Sequence, residues 1–131
     1  MNPLPPIPIT SLLTDLPEAL SAERFDTLLE TPTFRLERIL SRGHSTAEGF
    51  WYDQPHDEWV MLLQGSARVA LASPEGERLL LPGDSLLLPA HWRHRVNWTE
   101  HDPITVWLAL HYRAEGGPLA VASLLMPPSP P

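Results

Sequence analysis

From Thr33 to Tyr112 the sequence is a succession of short apolar runs cut by turn chemistry, and this rhythm constrains the fold more than any other feature. The runs are Thr33–Ser41, Glu58–Leu63, Ser66–Ala72, Arg78–Leu81, Ser85–Leu88, Trp92–Trp98 and Thr105–Tyr112. Gly65, Ser73-Pro-Glu-Gly76 and Pro82-Gly-Asp84 stand between them. Strand-length stretches bounded by Gly, Pro, Asp and Ser read as β-strands, because those residues adopt the turn dihedrals that strands avoid. A further short strand is expected at Leu119–Leu125. Many short strands at close spacing predict an all-β fold, an antiparallel jelly-roll β-barrel.

One short N-terminal helix is expected over residues 21–30. Ser21 can cap it, Glu23 falls in its first turn, and Phe25, Leu28 and Leu29 make an apolar stripe at helical spacing. Thr31-Pro32 ends it, since a residue before proline avoids the helical region. The helix is expected to pack across the outside of the sheet.

A chain of 131 residues suffices for one domain with its own core. Pro3, Pro5, Pro6 and Pro8 at one end, with Pro127, Pro128, Pro130 and Pro131 at the other, are half of the 16 prolines. The expected organisation is therefore a proline-rich arm over 1–20, a barrel domain over 21–126 and a proline-rich tail over 127–131, both ends extended and polyproline-like. There is no cysteine, which excludes disulfides and thiolate metal sites. A net charge of −7 without a basic stripe argues against a nucleic-acid partner. The apolar runs are too short to cross a bilayer, and the N-terminus carries prolines rather than a basic and then an apolar segment. The expectation is a cytoplasmic protein with no membrane partner. An open jelly roll leaves sheet edges to cover, and Trp51, Trp59, Trp107 and Leu119–Leu125 are apolar surplus, so a homodimer is expected.

The chemistry is concentrated in two segments. Side chains alternate along an extended strand, so Gly49-Phe-Trp-Tyr-Asp-Gln-Pro-His-Asp-Glu58 places Tyr52, Gln54, His56 and Glu58 on one face. In Pro89-Ala-His-Trp-Arg-His94 and the residues after it, Trp92, His94, Val96 and Trp98 share a face that reads as inward. A buried histidine needs partners for its ring nitrogens, and a buried carboxylate is rarely left unpaired. Glu58 and His94 are therefore expected to face each other inside the barrel. Arg38 shares a face with Phe34, Leu36 and Leu40, where an inward guanidinium could grip a substrate carboxylate. His91, in the loop beside His94, is a second candidate for substrate binding. His111 lies on the Thr105-Trp107-Ala109 face of the last strand, and both faces of that strand are apolar.

These residues resemble the two motifs of the cupin superfamily. The first motif is Gly, then His-x-His, three or four residues, Glu, six residues and Gly; here Glu58 keeps its spacing to Gly65, with Tyr52 and Gln54 where the histidines would stand. The second is Gly, five residues, Pro-x-Gly, two residues and His, followed by Asn. Gly83 and Pro89 keep that spacing, His91 replaces the second glycine, His94 falls on the metal histidine, and Asn97 is one residue short of the Asn position. The similarity spans roughly residues 33–113. It implies a small single-domain cupin that binds a divalent transition metal (iron, manganese, nickel or zinc) and acts on or binds a small polar or carboxylated molecule. The implied ligands are Gln54, Glu58 and His94, with His56 as a compensating histidine that would complete a two-histidine, one-carboxylate set. Tyr52 is the implied proton donor or orienting group. The family includes dioxygenases, isomerases, epimerases and decarboxylases. The alternative is a binding or sensory cupin that has lost its metal, in which Tyr52, Gln54 and His94 form a hydrogen-bonded pocket.

Overall fold

A computed structural model describes residues 3–73 and 75–113. Eight strands follow in order: β1 Arg24–Thr31, β2 Phe34–Ser41, β3 Asp57–Gln64, β4 Ala67–Ala72, β5 Glu75–Leu80, β6 Ser85–Leu88, β7 His94–Thr99 and β8 Thr105–Tyr112. They form a five-stranded sheet, β1-β2-β8-β3-β6, and a three-stranded sheet, β5-β4-β7, and every pairing is antiparallel. This is the jelly roll that the strand rhythm predicts. Among the described residues no helix is long and apolar enough to cross a membrane. The strand expected at Leu119–Leu125 and the tail over 127–131 lie outside the described residues.

The expected helix over 21–30 is a strand. Arg24–Thr31 pairs with β2, from Arg24 opposite Leu40 to Thr31 opposite Phe34, and Pro32 and Thr33 form the turn between them. A stripe of Phe25, Leu28 and Leu29 fits a helix, but the free edge of β2 offers eight residues a full ladder of hydrogen bonds, and so short a helix is marginal alone. A bulge between Thr27 and Leu29 takes up the mismatch in spacing.

Between the sheets Val60, Leu62, Ala67, Val69, Leu80, Leu88, Trp92, Trp107 and Ala109 form the main core. Trp107, counted in the sequence as surface surplus, is one of them. A smaller cluster of Leu40, Ile104 and Val106 lies apart, with Leu16 and Leu20 of the arm and Leu63 packed against it. So both faces of β2 and β8 are covered, one by the opposing sheet and one in part by the arm. Gly65, between β3 and β4, has a φ of +81°, and a Cβ there would lie 2.5 Å from Thr105 Oγ1. Only glycine closes this bend without displacing β8.

The second sheet departs from strict alternation. In the β4–β7 ladder Val69 faces Val96 but Arg68 faces Trp98, so Asn97 is an extra residue in β7. Beyond this bulge the pleat inverts: Trp98, expected inside, is 40% exposed, and Thr99 is buried.

Candidate active site

The inward face of each strand runs from apolar to polar toward one end of the barrel. On β3 the order is Leu62, Val60, Glu58; on β8 it is Trp107, Ala109, His111; on β2 it is Ile39, then Glu37. Strand register gathers these polar ends: Glu58 is opposite His111 and Arg35 is opposite His111. Across the barrel, Tyr52 pairs with His94 through two backbone hydrogen bonds of 2.8 and 3.1 Å, which brings the segment before β3 onto the start of β7. The result is a cavity of about 330 Å³. Glu23, Glu37, Glu58, Arg35, His94, His111, Tyr52 and Gln54 supply its polar groups.

Glu58 and His94 face each other as expected, with His94 Nε2 3.6 Å from Glu58 Oε1, and both residues are buried. His94 Nδ1 lies 3.0 Å from the Trp92 carbonyl oxygen and therefore donates to it, so in the neutral ring Nε2 carries the lone pair that faces Glu58. Gln54 Nε2 donates to Glu58 Oε1 at 2.9 Å. The Tyr52 ring stacks on His94, with centroids 5.4 Å apart and planes at 22°. Burial raises the Tyr52 phenol above its ordinary value, and the charges of Glu23 and Glu58 add to that, so it remains a proton donor across the neutral range.

A second carboxylate–imidazole pair stands beside the first. His111 Nε2 donates to Glu37 Oε1 at 2.8 Å and lies 4.0 Å from Glu58 Oε2. Burial pushes the Glu37 carboxyl up, but the hydrogen bond from His111 and the charges of His111 and Arg35 outweigh it and hold the group below the ordinary carboxylate value. Glu23 Oε2 accepts from Ser41 Oγ at 2.5 Å, and Ser41 Oγ accepts from Trp107 Nε1 at 3.1 Å. Sequence reasoning missed Glu23, Arg35 and Glu37, and left His111 unassigned. A charge in mid-strand between apolar neighbours, as in Leu36-Glu37-Arg38-Ile39, was the available signal.

Three expected site residues are elsewhere. His56 does not line the cavity: the chain bends at Pro55 and His56 before β3 begins, which breaks the alternation, and His56 Nε2 lies 2.9 Å from His111 Nδ1 on the far side of that ring. Arg38 faces away from the cavity. Its guanidinium binds Asp26 Oδ2 at 2.7 Å and the Leu12 carbonyl at 3.0 Å. Burial raises the Asp26 carboxyl, but hydrogen bonds and charge from Arg38 and Arg24 bring it below the ordinary value. The β2–β8 register puts Arg35, Glu37 and Ile39 inside instead, and because the other face of β2 is also partly covered, apolar pattern alone favoured the wrong one. His91 is an exposed turn residue with φ +64°, its Nδ1 2.8 Å from Asp53 Oδ1. That left-handed backbone is why the motif carries glycine at this position.

The donor set does not fit the metal centre that the motifs imply. With His56 turned away, the two-histidine, one-carboxylate set is lost. Among the described residues no three His, Asp or Glu side chains stand together to hold an ion. Glu58 and His94 remain, with Gln54 presenting an N–H rather than a lone pair to Glu58. Two donors fall short of the three protein ligands usual in catalytic sites.

No family model and no curated protein matches the chain. Solved structures do match. A candidate mannose-6-phosphate isomerase of Ralstonia eutropha JMP134 is 44% identical, over 82% of this chain and 100% of that one, with a TM-score of 0.79. A cupin superfamily protein of Desulfitobacterium hafniense DCB-2 is 20% identical, over 82% of this chain and 94% of that one, at 0.66. The iron(II) form of HppE is 14% identical, over 70% and 50%, at 0.59. The last two show the fold alone. The 44% identity to the first across the whole of that chain, the jelly roll, and Glu58 and His94 at their motif positions lead to one conclusion: the chain belongs to the cupin superfamily.

Proposed function

We propose that this cupin binds a small polyhydroxylated molecule in the barrel cavity and moves protons on it, as in an isomerisation or epimerisation. The observation that carries this reading is the adjacency of two buried carboxylate–imidazole pairs, Glu58–His94 and Glu37–His111, at the floor of one cavity. Carboxylates accept from substrate hydroxyls, and three of them against a single arginine favour an uncharged polyol part over an anionic one. Glu58 is the base, with His94 Nε2 ready to share the proton, and the Tyr52 hydroxyl is the donor. The name of the Ralstonia relative points to the same class of substrate.

The test is solvent deuterium incorporation beside the carbonyl of aldoses and ketoses, free and phosphorylated, followed by proton magnetic resonance. Exchange in the wild type, lost in Glu58→Gln, is the expected result. No exchange and no binding with any sugar would end the proposal.

A metal-bound form is the second reading, favoured by one observation: the His94 Nε2 lone pair and Glu58 Oε1 face each other at 3.6 Å with no N–H between them. Glu58 and His94 would hold the ion, and it would supply Lewis acidity. Stoichiometric iron, manganese, nickel or zinc in protein purified without a histidine tag would establish this form. A non-catalytic sensory cupin is the outcome if ligands bind without exchange. We also propose a cytoplasmic homodimer without nucleic-acid or membrane partners. The exposed Phe25 and Leu29 on edge strand β1, and Leu4, Ile7 and Ile9 on the arm, support the dimer. Sedimentation at monomer mass at tens of micromolar would refute it.

A further inference from the structure

Next to the cavity, at the end of the β1–β2 hairpin, lies a cleft of about 160 Å³. Thr31 and Thr33 come from the hairpin turn, Arg35 from β2, His56 from the bend before β3, and His111 and Arg113 from β8 and its end. In a chain of net charge −7, two arginines and two imidazoles here face one carboxylate, that of Glu30. Arg35 Nε is buried yet makes no hydrogen bond; Glu37 Oε2 lies 3.4 Å away but out of line. A buried guanidinium N–H without an acceptor costs stability unless a ligand supplies one. The positive field is felt locally. Burial, His111, Arg35 and Arg113 all hold the His56 imidazole below its ordinary value, and only Glu58 opposes them.

Arg35 and His111 border both the cleft and the cavity. We propose that the cleft is a phosphate subsite and that it takes the phosphate monoester of the molecule whose polyol part occupies the cavity. Two guanidinium groups match a dianion, their forked N–H groups match its oxygens, and the threonine hydroxyls are further donors. This assignment rests on the polyol reading of the cavity for the second half of the ligand only.

The experiment titrates inorganic phosphate, and separately acetate, into the full chain at constant ionic strength, following the His56 and His111 ring resonances. Saturable shifts with phosphate, at least about tenfold weaker with acetate, are expected. Arg113→Gln, at an exposed position away from the cavity lining, should weaken phosphate by about tenfold, whereas Arg78→Gln on β5 should leave it unchanged. The subsite is overturned if phosphate does not saturate, if acetate binds equally well, or if the two arginine variants behave alike. With sugars, the phosphate ester should bind at least about tenfold tighter than the free sugar, and Arg113→Gln should abolish that advantage. Tight binding of inorganic phosphate with no advantage for any ester overturns the shared ligand, whereas absence of deuterium exchange strikes only at the proposed chemistry of the cavity.

Discussion

The two ends of the barrel are built from the same strands and differ in one respect, the polarity of their inward residues. At the closed end Leu62, Ala67, Leu80 and Trp107 pack with at most 4% exposure. Toward the cavity the same alternation delivers Glu58, Glu37, His94 and His111, all buried and each hydrogen-bonded: Glu58 by Gln54, His94 by the Trp92 carbonyl, Glu37 and His111 by each other. The apolar end gains from every contact. The charged end holds three carboxylates in one cavity, where their desolvation is sustained by the fold around them. Stability and chemistry are thus segregated along each strand, and substitutions at the two ends should move them separately.

The largest contrast is expected between Leu62→Ala and Glu58→Gln in urea unfolding. Leu62 is fully buried, and its truncation should cost about 2–5 kcal/mol. Glu58→Gln removes one of the crowded carboxylates and should leave stability equal or raise it by up to about 1 kcal/mol while abolishing deuterium exchange. Equal losses from both changes would erase the division between the ends. His111→Phe sharpens it next. The ring volume stays but Glu37 loses its 2.8 Å donor, and a buried carboxylate left with only the 3.4 Å Arg35 contact should cost about 1–3 kcal/mol at neutral pH, falling toward zero where Glu37 protonates. A loss independent of pH would mean that His111 contributes packing alone.

Acid should act on the charged end before the apolar one. His56 and Glu37 both titrate lower in the folded chain than unfolded, so the unfolded state binds more protons and stability falls with pH. The His56 contribution is complete above the ordinary imidazole range and is lost as pH falls to its lower folded value. That of Glu37 is complete above the ordinary carboxylate range and is lost below it. Thermal melts between pH 8 and about 2 should show two descending steps, and His56→Asn should remove the upper one. The smallest effect is expected outside the barrel. Arg38→Gln breaks a partly exposed pair with Asp26, should cost no more than about 1 kcal/mol, and should leave ligand affinity unaltered. A drop in affinity would return Arg38 to the site.

Much of this was legible in the residues. Seven of the eight strands coincide within a few residues with runs read from turn chemistry, because Gly, Pro and Asp act locally and need no partner to end a strand. Glu58 and His94 were legible because a carboxylate and an imidazole on apolar strands demand each other. What the sequence could not decide is equally specific. Phe25-Asp-Thr-Leu-Leu satisfies a helical stripe as well as a strand, and the open edge of β2 settled it. Both faces of β2 and β8 are apolar, so the choice of Glu37 over Arg38 and the inward turn of His111 came from inter-strand register. His56 left the set at a two-residue bend, and Trp98 left the core at a single bulge. Local chemistry along the chain determined where strands begin and end and which residue types had to be buried together. Only the tertiary structure decided which side each strand presents, because a one-residue shift in pairing costs little locally and reverses every side chain beyond it.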